Sequence, residues 1–183
     1  MLKDFEKLIA GLKYWNVQLD NPNDDRNYQS RLILQKLAFL CKSLGIQMNY
    51  WFTLYKHGPY CPTLTTDYYM HPNLVSSLIT TYKPTPLDLK NYDKIQKFVL
   101  SHPLFKDHKI DLLEAVTTVQ FLNQKNSEDL DDVLFEKTKN EKPQLSDKII
   151  TIAINIVKEL NFKPEFLTDE LKKEIDLWDR AED

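Results

Sequence analysis

The sequence predicts a mainly α (α+β) fold: a compact multi-helix domain with a small β element around residues 48–55. Three observations predict it. Apolar side chains recur three and four residues apart through most of the chain, the spacing of one helix face. Over residues 48–55 the period becomes two, with Met48, Tyr50, Phe52 and Leu54 alternating with Asn49, Trp51, Thr53 and Tyr55, the pattern of an aromatic strand. The chain holds only three glycines, few for a sandwich or barrel. At 183 residues, 42% hydrophobic and 28% charged, it is long enough to bury a core without staples. A single domain over residues 1–183 is expected.

Each element follows from its own pattern. Phe5, Leu8, Ile9, Leu12 and Trp15 mark one face of a helix over residues 3–16. "DNPNDDRN" (20–27) is loop chemistry. Ile33, Leu34, Leu37, Leu40, Cys41 and Leu44 give the strongest helix, closed by Gly45 in the C-terminal cap position. The strand comes next, with rings on both faces, so cover on part of each side is expected. "YKHGPYCP" (55–62) ends it, and Pro62 suits the first position of a helix to about Tyr69. That helix should break near His71-Pro72 and resume over 73–80. "YKPTP" (82–86) reads as a rigid connector, followed by helices over 87–100 and 111–123. Ser127 is expected to cap a helix opening at Glu128-Asp129, whose acids suit the positive end of the dipole. Pro143 or Ser146 should start a helix to about Leu160 that is apolar nearly all round, and therefore the buried central helix of the second half. Thr168 should cap a final amphipathic helix, 168–179, carrying Leu171, Ile175 and Trp178.

The totals narrow the function classes. No G-x-G-x-x-G or G-K-[ST] occurs, so the usual nucleotide cradles are absent. Two cysteines, Cys41 and Cys61, do not make a disulfide scaffold. The start, "MLKDFE", is charged where a signal peptide is apolar, and no apolar run approaches a membrane span. A cytoplasmic protein with reduced thiols and no membrane association is expected. The net charge of −3 divides into +3 over residues 1–90 and −6 over 91–183. That first half is too mildly basic to announce nucleic-acid binding.

Candidate chemistry concentrates in few places. The four histidines, 57, 71, 102 and 108, show no metal-ligand spacing. A zinc site would have to gather His57, Cys61 and His71 from separate segments; no metal and no cofactor is expected. Cys61 beside a helix N-terminus, four residues from His57, is the sharpest enzymatic candidate, a thiol-dependent enzyme. No orienting third residue is evident, so no catalytic residue is assigned. The acidic pairs Asp24-Asp25, Glu128-Asp129 and Asp131-Asp132 sit where acids cap and solvate. Helices 127–138 and 146–160 could be drawn as a helix-turn-helix, but the first of them is acidic and would repel phosphate. Arg31, Gln35 and Lys42, with Lys36 beside them, make the better basic face.

Gly58 lets the chain turn sharply, Pro59 fixes its own φ, and Pro62 opens the next helix. These three read as a structural corner, which needs neither His57 nor Cys61. Cys61 stands at the N-cap, where Ser, Thr or Asp is usual.

"LQKLAFLCKSLGI" (34–46) followed by "FTLYKHGPYCPTLTTDYY" (52–69) resembles the YwgA-like family of uncharacterised bacterial and archaeal proteins. In that family a Leu-Gln-Lys-Leu helix leads to an aromatic strand, a Gly-Pro-Tyr-Ser-Pro turn and a helix with an Asp-aromatic pair. "LLEAVTTVQFL" (112–122) and "KPQLSDKIITIAINIVKEL" (142–160) extend the resemblance to about residues 30–160. The pattern is more distantly similar to the phage-associated Panacea antitoxin domain. The resemblance implies a helical domain found near defence genes, some relatives of which neutralise toxins by direct binding. It brings no catalytic residues, and Cys61 departs from the family's serine.

The expected function is a non-enzymatic protein-interaction module, antitoxin-like or phage- and defence-associated, with a toxin or phage protein as partner. Gln35, Lys36, His57, Tyr60 and Asp67 are its candidate interaction residues. A DNA-binding regulator of winged-helix type is the alternative, and an enzyme using Cys61 the third reading. A homodimer through the final helix would also fit its amphipathic pattern.

Overall fold

The computed structural model describes residues 2–24, 27–127 and 129–163; the expected final helix, 168–179, lies outside them. Helix α1 (Leu2–Tyr14) buries Phe5, Leu8, Ile9 and Leu12, the stripe read from the sequence. Helix α2 (Tyr28–Ser43) follows, closing at Leu44 with Gly45 at φ +105°. Strands β1 (Thr53–Tyr55) and β2 (Gly58–Tyr60) form an antiparallel hairpin. Helix α3 (Pro62–Met70) starts at Pro62, and α4 (Pro72–Ser77) resumes after the break at His71. Helix α5 (Pro86–Ile95) runs into a π-helical turn, Gln96–Leu100, and a short 3-10 turn, Pro103–Phe105. Helices α6 (Lys109–Lys125), α7 (Asp131–Glu141) and α8 (Asp147–Asn161) complete the described chain. The fold is mainly α with one small β element.

Capping chemistry places several of these boundaries. Thr85 and Asp88 form a reciprocal capping box at α5, with the Thr85 N–H donating to Asp88 Oδ2 at 2.8 Å and the Asp88 N–H to Thr85 Oγ1 at 3.2 Å. Ser146 caps α8 by accepting from the Ile149 N–H. The opening of α7 differs from expectation: its N-cap is Leu130, not Ser127, so Asp131 and Asp132 fill the first turn.

Two further differences bear on the site. The alternation over 48–55 is real, but ladder pairing covers only Thr53–Tyr55, and its partner is the Gly-Pro-Tyr of the turn itself. The expected strand-to-helix corner is therefore a hairpin followed by a helix. Gly58 takes φ +85°, the left-handed conformation that closes the tight turn. The helix at the centre is α6 rather than α8. Every residue of α6 from Leu112 to Gln120 is buried, and it packs against α2, α7, α8 and β2. On α8, Thr151, Asn155, Lys158 and Glu159 are exposed, so its apolar run is one broad face. Isoleucine next to isoleucine looked like an all-round pattern because the face is wide. Among the described residues no helix is long and apolar enough to cross a membrane.

Candidate functional site

Gln35 and Lys36 are neighbours near the middle of α2, and both are buried. Their side chains bond successive parts of the hairpin strand. The Gln35 amide treats Cys61 as a strand partner: its Nε2 donates to the Cys61 carbonyl at 2.9 Å, and its Oε1 accepts the Cys61 N–H at 2.9 Å. The same Nε2 lies 2.9 Å from Thr65 Oγ1. Lys36 Nζ donates to the Pro59 carbonyl at 2.9 Å. Three-residue strands leave most of their backbone groups without ladder partners, and buried groups of that kind need others. Here α2 supplies them.

Lys142, in the α7–α8 connection, supplies the rest from another direction. It is buried, and its Nζ donates to the carbonyls of Tyr55 and Lys56 at 2.6 and 2.7 Å. Between these lysines stands Glu114 of α6, also buried. Its Oε1 lies 3.9 Å from Lys142 Nζ and accepts from Gln144 Nε2 at 2.9 Å. Its Oε2 is 3.4 Å from Nδ1 of His57, which is about 40% exposed.

Burial pushes Lys36 down to about 7; Glu114 opposes the shift and Lys142 adds to it. Burial lowers Lys142 in the same direction, again with Glu114 opposing. One carboxylate thus faces two buried amines and an imidazole, and burial holds the amines toward neutrality.

Gly58 lets these groups meet. A Cβ there would stand 3.2 Å from both Lys36 Nζ and Thr118 Oγ1. Thr118 Oγ1 is buried and makes no hydrogen bond. Glycine thus serves twice, for its positive φ and for the close approach of α2 and α6 to the turn.

Above the cluster a cleft of about 290 Å³ opens between α2 and the hairpin. Lys36, Gln35 and Gly58 reach its floor, and Tyr28, Arg31, Tyr55, Lys56, His57 and Tyr60 surround them. Tyr28 anchors the rim, with its ring edge-on to His57 at 6.2 Å and Arg31 5.6 Å from its centroid. Arg31 also donates to Tyr69 Oη at 2.9 Å. Tyr55 and Tyr60 meet edge-to-face at 5.5 Å.

The residues picked out in the sequence divide accordingly. Lys36, His57, Gly58 and Tyr60 share the cleft. Gln35 lines it too, but its amide is used internally. Asp67 is elsewhere: it is buried and accepts from Tyr50 Oη at 2.7 Å, tying α3 to the segment before β1. The basic face expected along α2 does not form, because Gln35 and Lys36 point inward and Lys42 is engaged. Lys42 Nζ donates to the Tyr50 carbonyl and sits 5.2 Å from the centre of the Trp51 ring.

Cys61 is 1% exposed and belongs to the hydrophobic core, while its neighbour His57 pairs with Glu114. As N-cap of α3 it makes no side-chain cap bond. His71 packs its ring on Phe5. Among the described residues, no three of His, Cys, Asp and Glu are placed to hold a metal ion.

Sequence reasoning missed Glu114 and Lys142. Glu114 carried a signal: it interrupts the apolar run Leu112-Leu113-Glu114-Ala115-Val116, so a helix buried there must bury it. Lys142, beside Glu141 and Pro143, carried none. No family model, no curated protein and no solved structure matches the chain.

Proposed function

We propose that the chain is a non-enzymatic protein-interaction module that receives its partner at the cleft between α2 and the hairpin. One observation carries this reading: the rim joins Tyr28, Arg31, Tyr55 and Tyr60 around a concavity held rigid by the buried bonds beneath it. Tyrosine and arginine are the residue types that dominate binding energy at protein interfaces, and a wall fixed in advance loses little entropy when a partner arrives. The likeness to YwgA-like proteins and to the Panacea antitoxin domain supports a toxin or phage protein as that partner, met in the cytoplasm. A thiol-dependent enzyme has less support, since Cys61 is sealed in the core. DNA binding has less support as well: the amine of Lys36 is turned inward and Asp131 and Asp132 occupy the first turn of α7.

The test is co-expression of the tagged chain with the products of its neighbouring genes. One of them is expected to co-purify, and the double substitution Tyr28→Ala with Tyr60→Ala to weaken its capture about tenfold or more, the scale of one or two hot-spot side chains. Capture that ignores the rim substitutions would place the interface elsewhere. A salt-sensitive gel shift with duplex DNA and no protein partner would favour the regulator instead.

A further inference from the structure

Among the described residues, no acid shares the cleft with its basic side chains. Arg31, Lys36, Lys56 and His57 all line it, and among the described residues no Asp or Glu does. Glu114 lies behind this surface and is already shared among Lys142, His57 and Gln144. Arg31 uses one N–H on Tyr69, and among the described residues no carboxylate pairs with it or with Lys56. The chain as a whole is acidic, at −3, so this concentration of basic groups is local and does not reflect composition.

We infer that the cleft accepts an acidic side chain, an Asp or Glu of the partner, seated between Arg31, Lys56 and His57 above the Lys36 amine. The inference rests on the docking reading and adds the chemistry of what docks. Arg31 retains guanidinium N–H groups able to meet a carboxylate in fork geometry. Tyr28 holds that guanidinium and the His57 ring in place before any ligand arrives. The partner's carboxylate supplies the counter-charge that the cleft lacks, and the tyrosines around it receive the flanking apolar atoms.

The size of the site favours a peptide over a nucleic acid. A cleft of about 290 Å³ admits a few side chains, whereas nucleic-acid affinity is built from a long row of phosphate contacts. Arg31, Lys56 and His57 instead line one concavity.

The experiment is selection from a randomised hexapeptide pool on the immobilised full chain, alongside a fluorescent short oligothymidylate. Selected peptides are expected to be enriched about tenfold in Asp or Glu at one or two positions. Their Gln or Asn counterparts should bind about tenfold more weakly, a difference of about 1.4 kcal/mol. Arg31→Gln combined with Lys56→Gln should remove the enrichment while lowering the melting temperature by only about 2–4 °C, the scale of the lost Tyr69 bond and Tyr28 contact.

Enrichment without acids, equal binding of the amide peptides, or enrichment that survives the double substitution would each overturn the inference. So would an oligothymidylate that displaces the peptides from the cleft. The two readings fail separately. A co-purified partner that still depends on Tyr28 and Tyr60, together with a peptide pool showing no acid preference, removes only the carboxylate. A partner indifferent to the rim tyrosines removes the docking site itself.

Discussion

The α8 side of the core and the α2–hairpin corner are both well buried, yet opposite chemistry holds them. Helix α8 brings Ile149, Ile150, Ala153, Ile154, Ile156, Val157 and Leu160 to the core and no buried charge. The corner buries Gln35, Lys36, Asp67, Glu114 and Lys142. Apolar burial is favourable and non-directional, which suits a helix whose own backbone is satisfied. The corner has the reverse problem. Its short strands leave the carbonyls of Tyr55, Lys56, Pro59 and Cys61 to be met by side chains, and those bonds set where the turn points. Buried charge is a weak source of stability; here it gives the cleft its shape.

The contrast breaks most sharply at Glu114. Glu114→Ala leaves two buried amines without their carboxylate, and removing one member of a buried charge set costs about 3–5 kcal/mol. On the other side, Ile150→Val removes one methyl group from the apolar face and should cost about 0.5–1.5 kcal/mol. Denaturant midpoints of the two variants test the pair. Similar losses would mean that the charge cluster is better solvated than its burial indicates.

Gly58→Ala comes next, at about 2 kcal/mol. A left-handed conformation costs a residue with a Cβ about 1–2 kcal/mol, and the new carbon would also press on Lys36 Nζ and Thr118 Oγ1. Gly45, at φ +105° with open space around it, is the matched control. Gly45→Ala carries the backbone strain without the crowding, so the excess loss at Gly58 in denaturant melts measures the contact with the cluster. Equal losses would remove that contact from the account.

Stability should also rise with pH through the neutral range. Lys36 is pushed from 10.5 down to about 7 on folding, so between those values the unfolded chain binds more protons than the folded one. Raising the pH therefore favours the fold, and the contribution is lost as the pH falls through about 7. A full proton of difference gives about 1.4 kcal/mol per pH unit, and about 1 kcal/mol per unit is expected between pH 7 and 9. Lys142 is lowered in the same direction, so its contribution has the same sign. Above that window the buried acids work the other way. Cys41, Tyr50 and Tyr92 are raised above their ordinary 9.0 and 10.0, so they ionise more readily once unfolded. Urea melts at pH 7, 8 and 9 should show the rise, and Lys36→Met should flatten it. A flat profile in the unsubstituted chain would mean that Lys36 stays charged in the fold.

The same contrast explains what the sequence made legible. The α8 side could be read because apolar spacing encodes a helix face directly; only the width of the Ile-rich face misled, making α8 seem the central helix in place of α6. The corner could be read in part. Gly58, Pro59 and Pro62 announced a turn and a helix start, and Lys36 was read as lying beside a basic face and as a candidate interaction residue. Their joint purpose could not be read, because Lys36, Glu114 and Lys142 are brought together across 106 positions of chain, and a charge destined for burial looks locally like one destined for solvent. The hairpin was hidden for a related reason. Ladders of three residues are too short to alternate visibly, and Pro59 argues against a strand unless its partners come from elsewhere.

Cys61 carries the smallest expected effect and sharpens the contrast at its boundary, since it is both the N-cap of α3 and a member of the apolar core. A serine there could accept a bond from the first turn of α3, a gain of about 1 kcal/mol. It would also place a hydroxyl in a site where the thiol is 1% exposed, and an unbonded buried hydroxyl costs about 1–3 kcal/mol. The two terms oppose each other, so Cys61→Ser should lie between no change and a loss of about 2 kcal/mol. A net gain would mean that the hydroxyl reaches the cap and that cysteine leaves the helix start unsatisfied. Thiol chemistry gives an independent reading on the unsubstituted chain. A disulfide reagent at fixed pH should modify Cys61 and Cys41, both buried, only at the rate of global opening, because the thiolate that reacts is exposed only then. Fast modification of Cys61 alone would show that the corner opens by itself, and the polar bonds around the hairpin would then be its weakest feature.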